Sequence, residues 1–176
     1  MQILSKILRG VSLAFLSGGS TATVIAAVVL VKTATAKGIP VAEAAAANAP
    51  VFIAYSKVAL VCAGLLAVGE IIDFLKNSNK GKLDYFRYAS SLFCIAGVAV
   101  FGLGITPQLG ALLPDIASNP DAHEKFHKLH ELSRAVFGAS ILGAFISLLL
   151  PLFKKDSSVV LPNSSQSLET KTANIN

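Results

Sequence analysis

Charge is what this chain has least of. Of its 176 residues, 14% are Asp, Glu, Lys or Arg and 53% are hydrophobic, where a soluble domain averages about 25% and about 45–50%. Mean hydropathy is +0.66. The deficit argues against an ordinary water-soluble enzyme and, over most of the length, against intrinsic disorder. Cysteine is scarce as well. Cys62 and Cys94 stand alone within apolar runs, which removes C-x-x-C zinc, thioredoxin-like and haem-attachment motifs and leaves both as small core residues. The chain has no Walker loop, no dinucleotide fingerprint and no internal repeat. It also lacks the basic patch with interleaved aromatics that nucleic-acid binding favours. No catalytic residue, cofactor, metal or nucleic-acid partner is expected.

What the chain does have is apolar length. A helix needs about 20 mostly apolar residues to cross a hydrocarbon core of about 30 Å. Gly10 to Val31, Tyr88 to Pro114 and Ala135 to Phe153 carry no charge, and a fourth run, Val51 to Leu75, is interrupted by Lys57, Glu70 and Asp73. The expected fold is all-α: an integral membrane four-helix bundle with spans near 10–31, 51–75, 88–110 and 135–153. The polar tail 154–176 has little to bury and is expected to be disordered. The first run outlasts a signal-peptide core of about 7–15 residues, so it reads as an uncleaved anchor.

Lys and Arg set the orientation. Four spans divide them nine to six, with the larger share on the N-terminus, the second loop and the tail. Both termini are therefore expected on the cytoplasmic side. The bilayer is the first expected partner. Other membrane proteins or self-association are a further one, through small-residue faces such as Gly18 with Ala22 and Ala139 with Gly143.

Local signals refine the connections. The alanine-rich stretch from Val41 to Ala47 has high helix propensity, and Asn48 with Pro50 resembles the start of the second span. Pro107 removes a backbone bond and is expected to kink or end the third helix, with Gln108 to Pro114 as an interfacial turn. Asn119-Pro120-Asp121 supplies a helix start.

Several polar positions are candidates for function. On the second span Glu70 and Asp73, three apart, share a face; anchoring at the interface with Lys76 or Arg87 as partners is expected, and a cation relay is the alternative. Lys57 is about 20 Å from Glu70 along a helix and is expected to snorkel. His123, His127, His130 and Arg134 fall on one stripe of an amphipathic helix continuous with the fourth span, with Phe126, Leu129, Leu132 and Val136 assigned to the opposite side. A solvated or headgroup-facing surface is the simpler reading of that stripe; metal ligation is opposed by the neighbouring cations, and protonation near pH 6.5 is the other alternative. Ser133 lies three residues from His130 but has no orienting acid, so a hydrolase is not indicated.

The stretch from Phe126 to Arg134 leading into the last span, together with a third span closing at Thr106-Pro107, resembles the transmembrane protein 205 family of small four-span proteins. His130 and Ser133 match the family's aromatic-x-x-x-His-x-x-Ser element, and Pro107 matches the Pro that closes the third span. Glu131 stands where many members have Gly. The resemblance covers roughly Gly10 to Phe153 and implies no enzyme activity. Similar short chains occur in cyanobacteria, which implies a thylakoid membrane, or a plasma membrane otherwise. The function expected is that of an accessory or interaction component of its membrane; the alternative is a small transporter or channel-like protein using polar residues within the bundle.

Overall fold

The computed structural model describes residues 2–116 and 118–153; the expected tail, 154–176, lies outside the described residues. Four helices follow one another. Helix α1 comprises Gln2–Ala14, a wide π turn at Phe15–Gly19, and Ser20–Ala36; α2 is Val41–Lys76. Helix α3 comprises Lys82–Ala99, a second π turn at Val100–Ile105, Thr106–Leu112 and a final 3-10 turn, Leu113–Asp115; α4 is Pro120–Leu149, finishing in a 3-10 turn at Leu150–Phe153. Among the described residues there is no strand. Each helix holds an 18-residue stretch apolar enough to cross a membrane within a helical segment of 34 residues. At ~1.5 Å per residue that is about 51 Å, well beyond the ~30 Å of a hydrocarbon core.

The excess length is the main departure from the sequence reading. The loop expected between the first two spans is mostly helix: α1 continues to Ala36 and α2 already begins at Val41. Asn48 does not cap a helix; its Nδ2 donates to the carbonyl of Ala44 inside α2, and Pro50 is an interior residue. Pro107 does not end the third helix, and Gln108 to Pro114 stay helical. The missing N–H is accommodated by the π turn before it, where Thr106 bonds the Phe101 carbonyl with its backbone N–H and with Oγ1 at 2.8 Å. The Asn119 start is as the sequence indicates: its side chain accepts from the N–H groups of Asp121 and Ala122.

Each helix packs on the next in sequence, and α4 closes the ring against the N-terminal half of α1. Gln2 and Phe153 therefore lie at one end, here the termini end; Ala36, Val41, Asp115 and Pro120 lie at the distal end. The buried positions explain the packing. They run Ser56, Ala59, Ala63, Leu66, Glu70 on α2; Asp84, Arg87, Ser91, Cys94, Val98, Phe101, Ile105 on α3; and Ser133, Phe137, Ser140, Ala144, Ser147 on α4. Alternating three- and four-residue steps make the 3.5-residue seam of left-handed helix packing. Many seam residues are small, which lets backbones approach in lipid: Ser90 Oγ donates to the Gly143 carbonyl across α3 and α4 at 2.9 Å. Leu13, Leu16, Leu66, Cys94 and Val98 fill the centre, with Cys62 beside them. Large apolar side chains such as Ile25, Val29, Val61, Leu92, Leu103 and Leu142 face outward, as a lipid-facing surface requires.

Candidate functional site

Toward the termini end the interior seam turns ionic. Arg9 of α1, Glu70 and Asp73 of α2 and Arg87 of α3 meet there, together with Ser91 of α3 and Ser147 of α4. Arg9 Nε donates to Glu70 Oε1 at 2.9 Å, and Ser91 Oγ donates to the same oxygen at 2.7 Å. Ser91 and Ser147 share a hydroxyl–hydroxyl bond of 2.5 Å. Arg87 Nη2 donates to Asp73 Oδ2 at 2.5 Å and lies 3.4 Å from Glu70 Oε2. Tyr88 donates its hydroxyl to Asp73 Oδ2 at 2.8 Å, and the Arg87 guanidinium sits 4.5 Å from the centre of the Tyr88 ring.

Glu70 is 8% exposed, Arg9 7% and Arg87 6%. Groups this buried lose most of their hydration, a cost that close opposite charges offset, although Glu70 Oε2 and Arg87 Nε have no hydrogen-bond partner among the described residues. Two guanidiniums face two carboxylates, so these four side chains balance in charge; a further buried carboxylate, Asp84, borders the same cleft with Lys6 and Lys76. The spacing puts it together: Glu70 and Asp73 are one turn apart, Arg87 falls on the α3 seam four residues before Ser91, and Arg9 falls on the α1 seam between Ser5 and Ser12. Sequence reasoning foresaw the shared face of Glu70 and Asp73 and the Arg87 partner; that face points into the bundle. It missed Arg9, Ser91 and Ser147. The signal for Arg9 was available in the recurrence Ser5, Arg9, Ser12, Leu16, all buried.

Beside the cluster a cleft of about 460 Å³ opens at the termini end, bordered by Lys6, Arg9, Asp73, Lys76, Arg87 and Ser147 among others. A second cleft of about 580 Å³ lies toward the distal end, where the Ser20–Ala36 half of α1 follows α2 and leaves space before α4. The layer of Leu13, Leu16, Leu66 and Val98, each no more than 2% exposed, closes the bundle between the two.

The other candidate positions do not join the cluster. Lys57 is exposed on the outer surface of α2, thirteen residues or about 20 Å from Glu70. On α4, His123 and His127 are exposed, whereas His130 is half-buried and stacks on Phe126 with ring centres 6.1 Å apart. The polar and apolar sides assigned to this helix are therefore not cleanly divided: Phe126 adjoins the His stripe, and Leu132 is 50% exposed. Ser133 is buried and donates to the His130 carbonyl at 2.7 Å. Arg134 is exposed and pairs with Glu131 at 3.0 Å. Among the described residues no group of three or more His, Cys, Asp or Glu is arranged to hold a metal ion.

The α1 π turn is a further polar feature. Tyr55 of α2 donates its hydroxyl to the Phe15 carbonyl at 2.8 Å and lies 3.0 Å from Ser20 Oγ. Gly19 makes the approach possible: a Cβ there would lie 2.9 Å from the Tyr55 hydroxyl. The remaining hydroxyls of the Ser17–Thr23 cluster bond within their own helix, Ser17 to Leu13, Thr21 to Ser17 and Thr23 to Gly19. No family model, curated protein or solved structure matches the chain.

Proposed function

We propose that the chain is a non-enzymatic, multi-pass accessory component of its membrane, with both termini on the cytoplasmic side and in the thylakoid if the cell is cyanobacterial. The observation that carries this reading is the closed apolar layer of Leu13, Leu16, Leu66 and Val98. It separates a self-neutralised ionic cluster from the distal cleft, so the buried charges hold helices together and line no path across the bundle. A neutral clasp of this kind favours one arrangement of α1, α2, α3 and α4 over alternatives, a use to which buried polar groups are put where lipid supplies no hydrophobic force between helices. The nine-to-six division of Lys and Arg supports the orientation. The resemblance to the transmembrane protein 205 family brings no enzyme activity with it, and the thylakoid address rests on the likeness to short cyanobacterial chains.

One observation favours the second reading, a small transporter: Arg9, Glu70, Asp73 and Arg87 converge beside a cleft rather than scattering over the surface. Reconstitution in sealed vesicles separates the two. The accessory reading expects proton and alkali-cation fluxes equal to those of protein-free vesicles, and a stoichiometric membrane partner on gentle purification from native membranes. A flux present in the wild type and lost in Glu70→Gln protein that still folds would overturn it in favour of transport.

A further inference from the structure

The distal cleft is walled by all four helices, with Val28 on α1, Phe52 on α2, Leu109 on α3 and Phe137 on α4 among its apolar lining. Its neutral polar residues present little to a ligand. Thr21, Asn48, Thr106 and Ser133 each donate to a carbonyl of their own helix, at 2.7, 3.0, 2.8 and 2.7 Å. Its charged lining has one sign: Lys32 and Arg134 border the space and, among the described residues, no carboxylate does, although Arg134 Nη1 also reaches Glu131. The volume of about 580 Å³ falls in the range of ~300–1,000 Å³ usual for ligand pockets. Left empty, such walls forfeit dispersion contacts that an apolar occupant would restore.

We propose that this cleft holds one acyl chain of an anionic membrane phospholipid, with the phosphate drawn to Lys32 and Arg134. The chain gains dispersion contacts with all four helices that it does not make against the outer surface, and the two exposed cations select a headgroup of net negative charge. Gly138 lines the cleft with nothing within 4 Å of where a Cβ would stand. A larger side chain there projects into the space without striking the helices, and it also removes a helix-weakening glycine.

The absence of tryptophan makes a direct test simple. A single reporter, Val24→Trp, stands in the cleft wall, and the full chain is reconstituted in bilayers of phosphatidylcholine containing a small fraction of brominated lipid. Brominated phosphatidylglycerol is expected to quench the reporter at lower mole fraction than brominated phosphatidylcholine. Adding Gly138→Phe, or the smaller Gly138→Leu, is expected to abolish that excess while the thermal unfolding midpoint is kept. Replacing Lys32 and Arg134 together by Gln is expected to lower the preference for the anionic lipid at least about five-fold; both residues are exposed, so folding is not at stake. Equal quenching by the two lipids, or an excess that survives in folded Gly138→Phe protein, would overturn the proposal.

Discussion

Glu70 receives more polar contacts than any other side chain described above, from Arg9, Arg87 and Ser91. Removing its charge leaves two buried guanidiniums with Asp73 as the remaining carboxylate of the cluster. Breaking a buried pair by deleting one partner costs about 3–5 kcal/mol, because the other charge stays desolvated. Glu70→Gln is therefore expected to lower stability by an amount on the order of 3 kcal/mol, read as a large drop in the unfolding midpoint in detergent. Glu131→Gln is the control. It also removes a carboxylate bonded to an arginine, but Glu131 and Arg134 are 54% and 67% exposed, and no measurable change is expected from a surface pair of this kind. Equal losses in the two variants would mean that burial is not what gives the Glu70 contacts their weight.

Within the helices, the π turn at Phe15–Gly19 and the Tyr55 hydroxyl depend on one another. A wide turn frees a carbonyl that lipid cannot satisfy, and Tyr55 supplies the donor. Tyr55→Phe is expected to cost about 1–3 kcal/mol, the range for an acceptor left unpaired away from water, since the Phe15 carbonyl lies at the lipid-facing surface, and to speed hydrogen exchange of the amides around the turn. Two adjacent glycines give a sharper contrast. Gly19→Ala places a methyl 2.9 Å from the Tyr55 hydroxyl, whereas Gly18→Ala meets nothing within 4 Å. The first is expected to destabilise, and the second to be neutral or stabilising by a few tenths of a kcal/mol, since Ala is the better helix former. Similar effects at both sites would detach the turn from its tyrosine. These elements also mark what the sequence could and could not reveal. Apolar length and the Asn119 cap are local properties and were legible. The π turns and the helical course through Pro50 and Pro107 were not, because they depend on which neighbour satisfies a freed backbone group. For Arg9 the recurrence marks an inward face but not its partner, which is sixty-one residues away, a contact no local pattern encodes.

Across the whole molecule, exposed charges delimit an apolar belt. On α1 the exposed Lys6 and Lys32 are twenty-six residues apart, about 39 Å at ~1.5 Å per residue, enough to bracket a hydrocarbon core of ~30 Å. The ends of the helices project beyond that belt, which is why the spans read from apolar runs are shorter than the helices that contain them. The up-and-down order of the ring places the turn between Lys76 and Lys82 at the termini end and the turn between Asp115 and Pro120 at the distal end. Sidedness of these two turns is the most direct measurement. Cys62 and Cys94 are 9% and 0% exposed, so Ser78→Cys and Ser118→Cys each add one accessible thiol over a silent background. In sealed, uniformly oriented vesicles treated with a membrane-impermeant maleimide, one of the two is expected to react at once and the other only after permeabilisation. Immediate labelling of both thiols in intact vesicles would place the two turns on the same side and contradict a bundle of four helices that each cross the membrane.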